Sequence, residues 1–211
     1  MKGTDFAFLV IGIAALVALY YFFFMREGSG SKRIEKAKDL SDAAAKPLAA
    51  AKRFASLQQY EVIAPAALAK NGRFADLDFI IVGCFGLLCV KCIGRGGEIY
   101  GSEGDAKWLQ VRGEERTSFE NPILQAATDT RLVRDTLFTA NLKNIPVETV
   151  CVFTNKNASL ALPRSTGHLT VKEFRALLDK EKYRTDKHVD IAKAAAAVRA
   201  YLAPESGVKP V

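Results

Sequence analysis

The sequence predicts an α/β domain with a mixed central sheet flanked by helices, preceded by one N-terminal helix that spans a membrane. Three observations carry this. An apolar run opens the chain, a cluster of short β-rich runs fills residues 60 to 119, and one near-continuous apolar strand lies between segments with helix-capping signals.

The run Phe6–Met25, FAFLVIGIAALVALYYFFFM, is 20 apolar residues, enough at about 1.5 Å per residue to cross a hydrocarbon core of about 30 Å. A cleaved signal peptide has a shorter apolar region ending in small residues. This run ends instead in Tyr20, Tyr21, Phe22, Phe23 and Phe24, as an interfacial aromatic belt does. Lys2 is the basic residue before it, whereas Arg26, Lys32, Arg33, Lys36 and Lys38 follow it. The positive-inside rule then predicts a single-pass protein of the cell membrane, N-terminus out, with its soluble domain in the cytoplasm. The expected divisions are a transmembrane anchor over 1–25, a basic juxtamembrane linker or helix over 26–46, and a cytoplasmic domain over 47–211. Of the formal charge of +7, about half lies between Arg26 and Leu57. Anionic lipid is the simplest partner for that segment, at about 1 kcal/mol for each basic side chain near the surface.

Along the chain, Gly28-Ser29-Gly30-Ser31 reads as a flexible hinge. Pro47 should end or kink a first helix near Ala45 and restart a second through LAAAKRFASL. Strands are expected over Tyr60–Ala64, Phe74–Val82 and Leu87–Ile93, then in GEIYG, WLQVR and RTSF. Gly83 and Gly86 bracket a four-residue hairpin loop. Asn121 and Pro122 are the N-cap and first residue of a helix through ILQAATDTRLVRDTLF. Val147–Thr154 is apolar enough to be a strand buried on both faces. Thr170 to Glu173 forms a capping box, and an Ala-rich helix runs from Asp186 or Lys187 to Leu202.

Cys84, Cys89 and Cys92 have the C-x4-C-x2-C spacing of plant-type iron–sulfur ligands, with Cys151 remote. In a strand, however, residues three apart point to opposite faces, so Cys89 and Cys92 cannot share a metal. A redox C-x-x-C wants a helix N-terminus after it, and Ile93-Gly94-Arg95-Gly96-Gly97 follows instead. Disulfides are disfavoured in the cytoplasm, and the two histidines, His168 and His188, are distant in sequence. The cysteines are therefore expected to be buried thiols acting as small hydrophobes, with metal and redox roles as the alternatives.

The run ADLDFIIVGCFGLLCVKCIGRGGEIYGSEGDAKWLQ, followed by SFENPILQ, resembles the nuclease-related domain (NERD), a branch of the PD-(D/E)xK nuclease-like superfamily. The resemblance covers roughly residues 60 to 178 and implies a restriction-endonuclease-like fold. Asp78 falls on the family's Asp, closing an acidic–apolar–Asp triplet, and Gly86, Gly97, Gly101, Trp108, Asn121, Pro122 and Gln125 fall where the pattern wants them. In active members an Asp and a Glu on adjacent strands bind Mg²⁺, and a Lys two residues beyond the Glu activates water. Here those two positions read Lys91 and Ile93. An ammonium repels a divalent cation and isoleucine transfers no proton, so the motif points away from catalysis, though it leaves enzyme activity open.

Together the apolar run and the resemblance imply a membrane-anchored, catalytically degenerate nuclease relative acting in nucleic-acid binding or scaffolding. The remnant site would comprise Asp78, Lys91, Gln125 and Glu98, with Lys91 neutralising Asp78 if the two face each other across the hairpin. No cofactor is expected. One alternative is an active nuclease with a rearranged site, in which Glu98 is a migrated carboxylate, Lys91 the catalytic lysine and Asp78 a ligand of Mg²⁺ or Mn²⁺. The other is a protein-interaction module that no longer binds nucleic acid. Arg131, Arg134 and Lys143 are candidate contacts to DNA or RNA, against a merely solvated helix face, and Trp108 reads as core or rim rather than a base-stacking platform.

Overall fold

The computed structural model describes residues 42–203. The predicted membrane span Phe6–Met25, and the linker as far as residue 41, lie outside them. Among the described residues no helix is long and apolar enough to cross a membrane.

A 3-10 turn, Asp42–Ala44, leads into α1 (Ala45–Gln58), so the folded unit begins inside the segment expected to be linker, and Ala44 is already buried. Pro47 does not break this helix. It sits in the first turn, where its missing N–H would have had no intrahelical acceptor. Next come β1 (Glu61–Ile63), the hairpin β2 (Ala66–Lys70) and β3 (Arg73–Leu77), then β4 (Phe79–Gly83), β5 (Gly86–Ile93), β6 (Gly97–Tyr100), β7 (Lys107–Arg112) and β8 (Glu115–Glu120). Helix α2 (Pro122–Thr139) is followed by β9 (Val147–Phe153), β10 (Ala158–Ala161), β11 (His168–Thr170), α3 (Val171–Leu178) and α4 (Ile191–Arg199).

The central sheet has the order β1-β4-β5-β9-β11. Its first two pairings are antiparallel and its last two parallel, which makes it mixed as the sequence predicts. Strand alternation divides its side chains between two layers. Ile80, Val82, Leu87 and Cys89 pack with Leu132, Val133 and Leu137 of α2 and with the alanines of α4. Phe79, Ile81, Leu88 and Val90 pack on the other face with Leu48 and Phe54 of α1 and Phe174 and Leu177 of α3. A second sheet, β10-β6-β7-β8, closes over Ile93, Cys151 and Phe153 with Ile99 and Trp108.

Expectation and structure part at identifiable places. The run Phe74–Val82 is not one strand: Leu77 belongs to the α2-side core and Phe79 to the α1-side core, although a straight strand would put both on one face. The bend is at Asp78. Gly83 pairs with Gly86, so the hairpin loop between β4 and β5 contains two residues, and Gly86 at φ +122 brings its Cα so near Pro146 that a Cβ would lie 2.3 Å from the Pro146 carbonyl oxygen. Strands β2, β10 and β11 are only 5, 4 and 3 residues long, too short for their alternation to stand out, and escaped the sequence pattern. The last helix starts later than expected, at Ile191, where the Asp190 carboxylate accepts the Lys193 amide as N-cap. Both halves of the Thr170–Glu173 capping box form.

The cysteines separate by face. Cys89 is buried on the α2 side, Cys92 packs toward the α1 side, and Cys151 lies in the core under the second sheet. Burial pushes the Cys89 and Cys151 thiols up to about 12, and burial with the Asp78 charge raises Cys92 as well. Thiol labelling of the native protein at mildly alkaline pH, followed by mass spectrometry, should therefore modify the half-buried Cys84 first and the other three only on unfolding. Early modification of Cys89 or Cys151 would contradict this arrangement.

Candidate functional site

The site grows from the point where β4 and β5 part. β4 pairs with β5 as far back as Phe79, opposite Val90, and the Asp78 amide bonds the Val90 carbonyl at 3.0 Å. Cys92 presents its N–H to the same side of β5, beyond the reach of β4. The Asp78 carboxylate takes that ladder position, its Oδ2 accepting the Cys92 amide at 2.6 Å. A backbone donor that would otherwise cost about 1–3 kcal/mol to bury is thus satisfied by a side chain.

Lys91, between Val90 and Cys92, projects to the α2 side and is only 8% exposed. Its Nζ donates to the Asp76 carbonyl at 2.5 Å and lies 3.5 Å from Asp76 Oδ2 and 3.3 Å from Asp129 Oδ2. Two of these contacts are hydrogen bonds, to the Asp76 carbonyl and to Asp129 Oδ2, and the approach to Asp76 Oδ2 is an ion pair. Asp129, on α2, is 1% exposed. One charge on the central strand therefore ties together β5, the β2–β3 hairpin and α2. The sequence named Asp78 as the carboxylate that Lys91 would neutralise; in the structure the ion pairs of Lys91 are with Asp76 and Asp129, which sequence did not name, while Asp78 accepts the Cys92 amide. Asp129 had a signal: it is a lone acid on the helix stripe of Ala126, Leu132, Val133 and Thr136.

The other candidates scatter. Gln125, half-buried on the first turn of α2, is one helical turn before Asp129 and so on the same face. Ile93 is buried under the second sheet. Glu98 does not join the group: it lies on β6, in the other sheet, exposed, and accepts the Tyr100 hydroxyl at 2.6 Å. Its neighbour Ile99 is the one that points into the core. Trp108 is buried and donates its indole N–H to the Ser102 carbonyl at 2.8 Å. Gly101 is required beneath that ring, since a Cβ there would lie 2.2 Å from Trp108 Cδ1. Asn121 caps α2 through Oδ1 and donates through Nδ2 to carbonyls of Ser102, Glu103 and Asp105. Trp108, Gly101 and Asn121 thus build the β6–β7 connection.

Arg131 and Arg134 are exposed on α2, and Arg134 donates to the Val147 carbonyl at 3.1 Å. Lys143 lies over the Phe138 ring. Arg134 thus marks the start of β9, whereas Lys91 pairs with Cys151 further along it.

The nuclease-related domain family matches residues 42–154, more than half of the 211 residues. The chain belongs to the nuclease-related domain family. A search of curated proteins and of solved structures gives no match. The NERD match begins at the first described turn and ends just past β9, so it contains Asp76, Asp78, Lys91 and Asp129. Helices α3 and α4, which complete the two core layers of this NERD chain, follow it.

Replacing Lys91 by Met removes an ion-pair partner from a buried carboxylate and should cost about 3–5 kcal/mol. The double variant Lys91→Met with Asp129→Leu exchanges both charges for apolar groups and should recover much of that loss. Urea unfolding measures both, and a Lys91→Met cost below about 1 kcal/mol would contradict the internal ion pair.

Proposed function

We propose that this nuclease-related chain is a membrane-anchored member that has lost the catalytic metal site and binds nucleic acid without cutting it. The observation that supports this best is the ammonium of Lys91, buried between Asp76 and Asp129. It stands at the position where the family resemblance expects a metal-binding Glu. A unit charge and a double charge about 4 Å apart repel by about 8 kcal/mol at an effective dielectric constant of 20. A carboxylate at the same place would attract the metal instead. Asp78 spends one oxygen on the Cys92 amide, and Ile93 has no proton to give. The residues present do not fit a divalent cation at this place.

Membrane attachment rests on the apolar run Phe6–Met25 and the basic residues after it, which put the folded unit on the cytoplasmic side. Nucleic acid as the ligand rests on the family and on the excess of basic residues, formal charge +7.

The test uses the full-length protein in mild detergent with single- and double-stranded DNA and RNA, with and without Mg²⁺ and Mn²⁺. The expected result is no cleavage above buffer, together with binding that weakens steeply as salt is raised. Metal-dependent cleavage abolished by Asp78→Ala would overturn the loss of catalysis. Absence of binding at low salt would turn the assignment to a protein-interaction module.

A further inference from the structure

The loop after β5 and the end of β7 bring together two arginines, Arg95 and Arg112, in an unusual setting. Arg95 Nη1 donates to Gln110 Oε1 at 2.8 Å, and its guanidinium lies over the Phe119 ring, 4.2 Å from the centroid. Gln110 is buried, and its amide donates to the Gly96 carbonyl at 2.6 Å, which fixes which end of the amide faces Arg95. Arg112 Nε approaches the same carbonyl at 3.4 Å. Two guanidiniums are thus gathered around Gly96.

The platform under them is pinned from both sides. Asn155 Nδ2 donates to the Gly94 carbonyl at 3.1 Å and the Gly97 amide to the Asn157 carbonyl at 2.9 Å. A Cβ at Gly96 would lie 2.8 Å from Asn155 Nδ2, and one at Gly97 only 2.3 Å from the Val111 carbonyl oxygen. The loop cannot relax away from β7.

Among the described residues neither arginine makes an ion pair. The register partner of Arg112 is Glu115, whose carboxylate accepts the Thr117 hydroxyl at 3.4 Å. Burial, and then the charge of Arg112, lowers Arg95 below the usual arginine value. The pair therefore stands under mutual repulsion that an anion would relieve, and Arg95 is held flat by Phe119 with most of its five N–H donors uncommitted.

We propose that Arg95 and Arg112 form a clamp for the phosphodiester backbone of a nucleic acid, with Gln110 and Phe119 as positioning residues. The clamp lies at the Ile93 end of β5, whose backbone carbonyl accepts the Thr154 amide. Arg134 is anchored at Val147, six residues from Phe153 along β9, hence about 20 Å from that end. The clamp is therefore distinct from the helical arginines that sequence nominated. It rests on the proposed nucleic-acid binding and deepens it by naming where the backbone is held.

Fluorescence anisotropy of labelled single-stranded DNA and RNA against the full-length protein tests it. Arg95→Gln with Arg112→Gln should weaken binding at least tenfold at low salt. It should also flatten the log–log salt dependence by about 1.4, two phosphate contacts at about 0.7 each. Arg131→Gln with Arg134→Gln should change either quantity much less. Should the double variant unfold, the exposed Arg112→Gln alone should flatten the slope by about 0.7. Tight binding by wild type that is unchanged in the clamp variants would overturn the clamp and leave nucleic-acid binding standing. No binding by wild type would overturn both.

Discussion

The buried ammonium of Lys91 is the constraint around which the rest of this fold is arranged. It sits on the central strand of the sheet, and its acceptors come from the β2–β3 hairpin and from α2. An uncompensated charge in that interior would cost several kcal/mol, so the three elements hold their relative positions or lose the partner of a buried ion. Asp129 brings α2 down onto β5, while Asp76 holds the hairpin against the same point. The bend at Asp78 follows, because the chain must leave the hairpin, change face and enter β4 within one residue. Its carboxylate then closes the gap that the bend opens in the ladder.

The same geometry relates fold to function. A family whose chemistry needs oxygen ligands around a divalent cation here presents one lysine ammonium with oxygen acceptors around it. On the proposed reading that ammonium, covalently part of the chain, takes the place of the cation. The structural residues of the family pattern, Gly86, Gly101, Trp108 and Asn121, retain jobs that do not depend on catalysis: a close approach at Pro146, a ring packed on a glycine, a capped helix. These contacts hold the nuclease-related fold together without calling on any catalytic group.

Much of this was legible in the sequence where one signal dominated. Asn121-Pro122 and the Thr170–Glu173 box name helix starts because cap chemistry is local. Leu87–Ile93 was readable as a strand, and with it the dispersal of Cys89 and Cys92 to opposite faces. What escaped depended on tertiary pairing. Nothing in FADLDFIIV marks the change of face at Asp78, since apolar residues continue on both sides and the bend is imposed by two different sheets. Asp129 looked like one more polar residue on a helix until the facing strand supplied its cation. Glu98 was attractive by distance along the chain, yet strand alternation turns it outward on another sheet, and the candidate site loses it. Arg95 and Gln110, far apart in sequence, meet only because β7 folds back over the glycine loop.

The central claim is that Lys91 holds the place of a divalent cation. Thermal unfolding of the full-length protein across a series of Mn²⁺ concentrations into the millimolar range addresses it directly, because a ligand that binds the folded state raises the melting temperature with the logarithm of its concentration. The account predicts a melting temperature independent of Mn²⁺. A melting temperature that climbs with Mn²⁺ in the wild type and stays flat in Asp78→Ala would contradict it.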